Sequence, residues 1–217
     1  MLDIYHKVTS ENVEDKLKEI EELKAKVEYR EAIREINKLI NSIKNGTKRT
    51  TEIVRGLRTF SRLDEDILKM ADIHEGLDST LILLHNKYKD RIEIVKHYGN
   101  LPQIECYPGQ LNQVFMNLLS NAIDAIDGKG AITINTSISN NYIKINIRDT
   151  GQGIPESIKE KIFDPFYTTK GVGKGTGLGL SISQSIIEKH NGSINVTSET
   201  GKGTVFTISI PIEQSKE

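Results

Sequence analysis

The chain has 217 residues, 27% of them charged, with a formal net charge of −1 and a single cysteine, Cys106. So even a charge balance argues against a nucleic-acid binder held by electrostatics, and one cysteine excludes an internal disulfide, in keeping with a reducing compartment. No apolar run approaches the roughly 18 residues of a membrane span and no signal-peptide core opens the sequence, so the chain reads as soluble, or as the cytosolic part of something larger.

Residues 11–66 contain no proline and only two glycines, Gly46 and Gly56. Ile33, Ile36, Leu39, Ile40 and Ile43 recur at three and four, the spacing of an amphipathic helix. Ile53, Val54, Leu57 and Phe60 continue the pattern, and "RLDED" (62–66) closes it with charge. A helical bundle or coiled-coil oligomerisation element is the plain reading. Beyond it the grammar changes. β-like runs stand at 92–98, 131–138, 142–149, 193–199 and 204–212, with helix-like segments at 109–127, 156–162 and 180–190. "SNN" (139–141) joins two alternating runs as a hairpin. Helices lying between groups of strands point to a mixed α/β sandwich with helices on one face, rather than a doubly wound parallel sheet.

Within this second half, "GQLNQVFMNLLSNAIDAI" (109–126) covers one broad helical face with apolar residues. Beside it Gln113, Asn117, Asn121 and Asp124 form a narrow polar stripe. The stripe fits a solvated face; it also fits ligands, because an amide oxygen is a hard donor suited to Mg²⁺. "RDTGQGIP" (148–155) follows a strand. Its Asp149 could end a turn or accept a hydrogen bond from an adenine amino group, with Gly151 and Gly153 letting a flat ring come close. "GVGKGTGLGLS" (171–181) has five glycines before a helix-like run. A P-loop would need glycine where Thr176 stands, and no register gives GxGxxG after a strand. A flexible linker or a phosphate loop of another architecture remains. "GKGTVFTI" (201–208) reads as a tight turn into a strand that Thr204 begins.

Taken in order, "NLLSNA", "DTGQGIP", "IFDPFYTTK", "GKGTGLGLS" and "GKGTVFTI" closely resemble the N, G1, F, G2 and G3 boxes of the sensor histidine kinase ATP-binding domain. Type II topoisomerases, heat-shock chaperones and mismatch-repair ATPases share that superfamily. The resemblance covers roughly residues 72–212, and upstream "EIVRGLRTFSRLDE" looks like the second helix of the kinases' dimerisation domain. It implies an α+β chain: a two-layer α/β sandwich, mixed sheet with helices on one face (the Bergerat-type ATP-binding fold), preceded by a long helical dimerisation segment. The implied division is 1–66, a partial dimerisation domain with its second helix at about 30–63, and 67–217, the ATP-binding catalytic domain.

The resemblance also implies a site. ATP and Mg²⁺ are the expected cofactors, with Asn121 on the metal and Asn117 lining the same site. Nucleotide contacts are expected from Asn121, Asp124, Asp149, Gly151, Gly153, Ile154, Gly175, Thr176, Gly177, Leu178, Gly179 and Thr204. The glycine cluster becomes a lid over the triphosphate, where Lys170 and Lys174 steady the γ-phosphate and the helix after Gly179 aims its N-terminus at phosphate oxygens. Phe163 and Phe166 are expected to pack the base of the lid.

Hydrolysing members of the superfamily carry a glutamate one turn before the metal-binding asparagine. Here that position is Asn117, which cannot act as a general base, so ATP should be held for transfer rather than split by water. The family's phosphoacceptor is a histidine followed by an acidic residue and then Asn-Pro or Thr-Pro. None of His6, His74, His85, His97 and His190 has that context, although "HEGLDS" begins with His-Glu. The expectation is a truncated kinase with its phosphoacceptor missing. The expected partners are a response-regulator receiver domain and, through the helical segment, a second copy of the chain. No nucleic acid or membrane contact is expected, and the location is cytoplasmic. A nucleotide-binding adaptor without a phosphoacceptor and an anti-sigma-type serine/threonine kinase are the alternatives.

Overall fold

The computed structural model describes residues 12–26, 29–61, 67–169 and 177–213. Two compact units divide the chain, Met1–Glu52 and Ile53–Glu217.

Helix α1 (Val13–Lys26) and helix α2 (Tyr29–Ser61) account for the helical half, with α2 running through the boundary between the units. Both carry acidic residues in their first turns, which suits the positive end of a helix dipole. Ile33, Ile36, Leu39, Ile40 and Ile43 of α2 lie 43–68% exposed, an apolar stripe open to solvent among the described residues. Ile53, Val54, Leu57 and Phe60 fall on helical backbone. Their side chains, together with His6 and the charged stretch 62–66, lie outside the described residues. Among the described residues no helix is long and apolar enough to cross a membrane.

The second unit is built on a five-stranded sheet in the order β2-β4-β5-β7-β6. Its strands are β2 (Ile92–His97), β4 (Gly130–Ser139), β5 (Tyr142–Asp149), β6 (Ser193–Glu199) and β7 (Gly203–Pro211). The pair β2/β4 is parallel and the other pairs are antiparallel, so the sheet is mixed, as the pattern of runs led us to expect. Two three-residue strands, β1 (Lys69–Ala71) and β3 (Ile104–Cys106), form a separate antiparallel pair. The hairpin β4–β5 turns on Asn140 and Asn141, both left-handed at φ 52° and 65°, a conformation asparagine tolerates better than most residues.

Three longer helices complete the sandwich: α3 (Ile73–Tyr88), α4 (Pro108–Ala125) and α6 (Gly179–Lys189). Helix α3 was not anticipated. Asp72 caps it by accepting the His74 N–H at 2.8 Å, and Ile73, Leu77, Leu81 and Leu84 give it a buried stripe. The expected helix at 156–162 is instead a short α5 (Glu156–Lys159) and a 3₁₀ turn, Lys161–Phe163. Pro108 opens α4 in the first turn, where its missing N–H costs nothing. At the other end Arg91 donates to the Ile123 and Ile126 carbonyls at 3.0 and 2.6 Å, satisfying acceptors that the helix leaves unpaired.

The core lies between α4 and the inner face of the sheet. Alternate residues Ile143, Ile145 and Ile147 of β5 are buried, matched across the ladder by Ile134 of β4 and by Phe206, Ile208 and Ile210 of β7. His190 accepts the Tyr107 N–H at its Nε2 and bonds the Ile186 carbonyl through Nδ1, which ties the start of α4 to the end of α6.

Burial holds the His190 imidazole below its ordinary value of 6.5, outweighing the bond to the Ile186 carbonyl. The unfolded chain therefore takes up this proton first. The stability that His190 contributes is complete above about pH 6.5 and is lost as the pH falls toward the depressed folded-state value. Urea titrations should show a fall in stability on acidification through this window that is shallower in His190→Gln than in wild type.

Candidate nucleotide-binding site

The inner face of β5 changes character at its last residue. Ile143, Ile145, Ile147 and Asp149 share that face, and Asp149, at 2% exposure, is as buried as the isoleucines before it. Its carboxylate is held where the apolar ladder runs out. The Gly151 N–H donates to Oδ1 at 2.8 Å, and the Thr204 N–H, at the start of β7, donates to the same oxygen at 3.2 Å. Oδ2 accepts no hydrogen bond from any described residue. Burial pushes the carboxyl above its ordinary value, against the opposing pull of these two N–H groups.

The loop after Asp149 is shaped by close approach. The Gln152 N–H donates to the Ala125 carbonyl at 3.0 Å, docking the loop on the end of α4. Gly153 has φ +71°, and a Cβ there would stand 2.2 Å from the Glu199 carbonyl oxygen, so both handedness and space require glycine. The Ile154 N–H donates to Ser198 Oγ at 2.7 Å, and Ser198 pairs with Thr204 Oγ1 at 2.9 Å.

Asp149 stands on the wall of a cavity of about 1100 Å³, at the upper end for small-molecule sites. Asn117, Asn121 and Asp124 of α4 line it, together with Gly153, Ile154, Gly177, Gly179 and Thr204. The polar stripe read from the sequence thus faces the cavity, apart from Gln113. Two expected contacts do not line it. Gly151 lies behind Asp149 as its hydrogen-bond donor, and Leu178 turns to a separate groove over α4 and α6. Lys170, Lys174, Gly175 and Thr176 lie outside the described residues. Phe163 packs on the core and the Phe166 side chain is 74% exposed, with its backbone beside Gly177; residues 170–176 of the lid whose base they were expected to pack lie outside the described residues.

Several lining residues were not read from the sequence. Lys87 of α3 reaches Ser120 with Nζ–Oγ 3.3 Å, and Tyr167, Thr168 and Thr169 border the mouth. Ile158, Ile162, Leu180 and Phe206 supply apolar wall. Asn117 also does more than line the site. Its Nδ2 donates to the Gly179 carbonyl at 3.0 Å and to Ser183 Oγ at 3.2 Å, joining α4 to the first turn of α6.

Chemically, the cavity combines a buried acceptor, an apolar slot and a row of neutral amides leading toward a helix N-terminus. That suits a flat heteroaromatic base joined to an anionic tail. The donor set also fits Mg²⁺ of one kind. Among the described residues no three His, Cys, Asp or Glu side chains converge on a metal position. The Asn117 and Asn121 amide oxygens could supply one or two hard ligands, with phosphate oxygens needed for the rest.

A family model described as histidine kinase-, DNA gyrase B- and HSP90-like ATPase matches residues 106–214. The chain is 39% identical over 191 residues to the sensor kinase CckA of Brucella abortus (strain 2308), covering 79% of this chain and 20% of that protein. It is 32% identical over 185 residues to the sensor histidine kinase ZraS of Escherichia coli (strain K12), covering 84% and 39%. It thus spans about a fifth to two fifths of the length of these relatives. Among solved structures, the catalytic domain of histidine kinase ThkA superposes with a TM-score of 0.63 at 33% identity, over 70% of this chain and 99% of that one. ThkA in complex with the response regulator protein TrrA matches at 0.60 and 31% identity, over 83% and 52%.

Because its folded-state carboxyl value is raised, Asp149 favours the fold in its protonated form, and that contribution is lost as the pH rises through the raised value. The burial that raises the value penalises the ionised form, a penalty that an amide does not carry. Asp149→Asn should therefore unfold at or above the wild-type denaturant midpoint at pH 7. Asp149→Ala should lose about 1–3 kcal/mol, because the Gly151 and Thr204 N–H groups are left unpaired.

Proposed function

We infer that this chain, which belongs to the histidine kinase-, DNA gyrase B- and HSP90-like ATPase family and carries a sensor histidine kinase ATP-binding domain, is the catalytic portion of a two-component kinase. The observation that carries the reading is the placement of Asp149. A buried carboxylate with one oxygen committed to the backbone and the other unclaimed is shaped to accept the exocyclic amino group of adenine. Asn121 and the oxygen of Asn117 would hold Mg²⁺ together with the phosphates, and the metal would offset phosphate charge. Lys170 and Lys174 would steady the γ-phosphate, and the start of α6 would face phosphate oxygens.

In the proposed reaction a histidine ring nitrogen attacks the γ-phosphorus in line. The bond from phosphorus to the β-phosphate bridging oxygen breaks, and ADP departs. Asn117 offers no basic group to activate water, which favours transfer over hydrolysis. The phosphoryl group would then pass to an aspartate of a response-regulator receiver domain, the class of partner seen on ThkA. None of the five histidines in the sequence stands in the phosphoacceptor context, so the acceptor is supplied from elsewhere. His74 is engaged in the fold: its Nε2 pairs with Thr136 Oγ1 at 2.9 Å and its ring stacks on Tyr98. The same observation supports a second reading, a dimeric adaptor whose nucleotide only sets conformation.

Residues 1–66 would form the partial dimerisation domain and 67–217 the catalytic domain, acting in the cytoplasm. The exposed stripe of α2 supports a homodimer, since apolar residues at helical spacing need a partner surface to leave water.

Calorimetry with Mg-ADP tests the site. Wild type should bind, and Asp149→Asn should weaken adenine nucleotides by about tenfold or more, the loss of one charge-assisted hydrogen bond. Equal affinity in the two proteins would refute the assignment of Asp149. Incubated with radiolabelled Mg-ATP, the chain should leave itself unlabelled yet label a separately supplied helix bearing a His-Glu-x-x-Asn-Pro block. Failure to label that helix despite nucleotide binding would favour the adaptor. In sedimentation experiments Ile36→Asp with Ile40→Asp should shift the chain from dimer to monomer.

A further inference from the structure

Ser183 has no part in the functional reading so far, yet it is fully buried one turn into α6, in contact with Asn117, which lines the cavity. Its hydroxyl donates to the Gly179 carbonyl at 2.8 Å, so its proton is spent within the helix and its lone pairs face outward. The side chain that meets those lone pairs is Asn117, whose Nδ2 lies 3.2 Å from Ser183 Oγ and 3.0 Å from the Gly179 carbonyl. Both groups facing the amide are acceptors. An Asn117 turned the other way would set Oδ1 against a carbonyl oxygen and a committed hydroxyl, losing two bonds and adding repulsion. One amide orientation is therefore selected, with NH₂ toward α6 and Oδ1 turned from these acceptors. Gly179 completes the arrangement: a Cβ there would sit 3.4–3.7 Å from the amide atoms and cover the face that borders the cavity.

We propose that Ser183 is a positioning residue for the magnesium–nucleotide site, acting through Asn117 by fixing its amide with the oxygen offered to the cation. This rests on the nucleotide-binding reading above. It also gives a reason for the amide at position 117. An aspartate of the same length, with acceptor oxygens only, would set one of them against the Gly179 carbonyl.

The test compares ADP affinity by calorimetry with and without Mg²⁺ in wild type, Ser183→Ala, Ser183→Thr and Asn117→Ala, with thermal unfolding recorded for each. Groups that orient a metal ligand are worth about tenfold or more in metal affinity. Ser183→Ala should therefore lower the Mg²⁺-dependent gain in ADP affinity by about tenfold while leaving Mg²⁺-free ADP binding within about twofold of wild type. Ser183→Thr, which keeps the hydroxyl, should restore the gain. Ser183→Ala made in the Asn117→Ala background should have no further effect, because the two act as one unit. An equal loss of affinity with and without Mg²⁺, an unchanged Mg²⁺ gain, or additivity of the two alanine variants would overturn the proposal. Failure of the wild-type chain to bind ADP in either condition would instead sink the nucleotide reading beneath it.

Discussion

The contact on which the molecule turns is the grip of two backbone N–H groups on one oxygen of Asp149. A carboxylate on the inner face of a sheet, in line with three buried isoleucines, would normally be expelled to water or protonated. Here the apolar ladder ends one residue early, and the loop and the neighbouring strand each contribute a donor. The grip is partial by construction. It holds the side chain in place and leaves the second oxygen without a hydrogen bond from any described residue. A carboxyl whose burial penalises its ionised form, on the wall of a large cavity, is the usual mark of a position kept for binding.

Around that point the structure is a set of ties that bring separate elements to one wall. Arg91 and the Gln152 N–H finish the carbonyl end of α4; His190 links the start of α4 to the end of α6; Asn117 links the middle of α4 to the start of α6. Helix α4 thus works as the spine of the site. One face is buried under the sheet, and the polar stripe beside it lines the cavity. Helix α6 is fastened to this spine at two places, so its position beside the cavity is set by the Asn117 and His190 ties.

Much of this was legible in the chain. The five strands of the main sheet alternate cleanly over seven or more residues in most cases, and period two is hard to mistake when one face is buried. The Asn140–Asn141 turn announced its hairpin through residues that accept positive φ. What escaped has physical causes. Strands β1 and β3 are three residues long and carry no periodic signal. Helix α3 has a clear stripe from Ile73 to Leu84 and a capping Asp72, but Gly76 in its first turns weakens the pattern. The candidate site was read residue by residue from motif order, which named Asn121 and Asp149 and could not reveal that Gly151 serves from behind or that Leu178 faces away. Lys87, Tyr167 and Ser183 reach the cavity or its ties only through the fold. For Ser183 the one local clue is its place four residues after Gly179, and that spacing gains meaning only once Asn117 is seen opposite.

The position of β7 has a bearing on how the protein comes into being. It follows β6 in sequence and yet is an interior strand, flanked by β5 on one side and β6 on the other. Thr204, which completes the hold on Asp149, is its second residue. Until that strand has been made, β5 and β6 have no common neighbour and Asp149 has only one of its two backbone donors. A nascent chain can pair β4 with β5 but cannot offer a finished pocket. The cavity wall at Asp149 is thus complete only once the segment that carries β7 has been made.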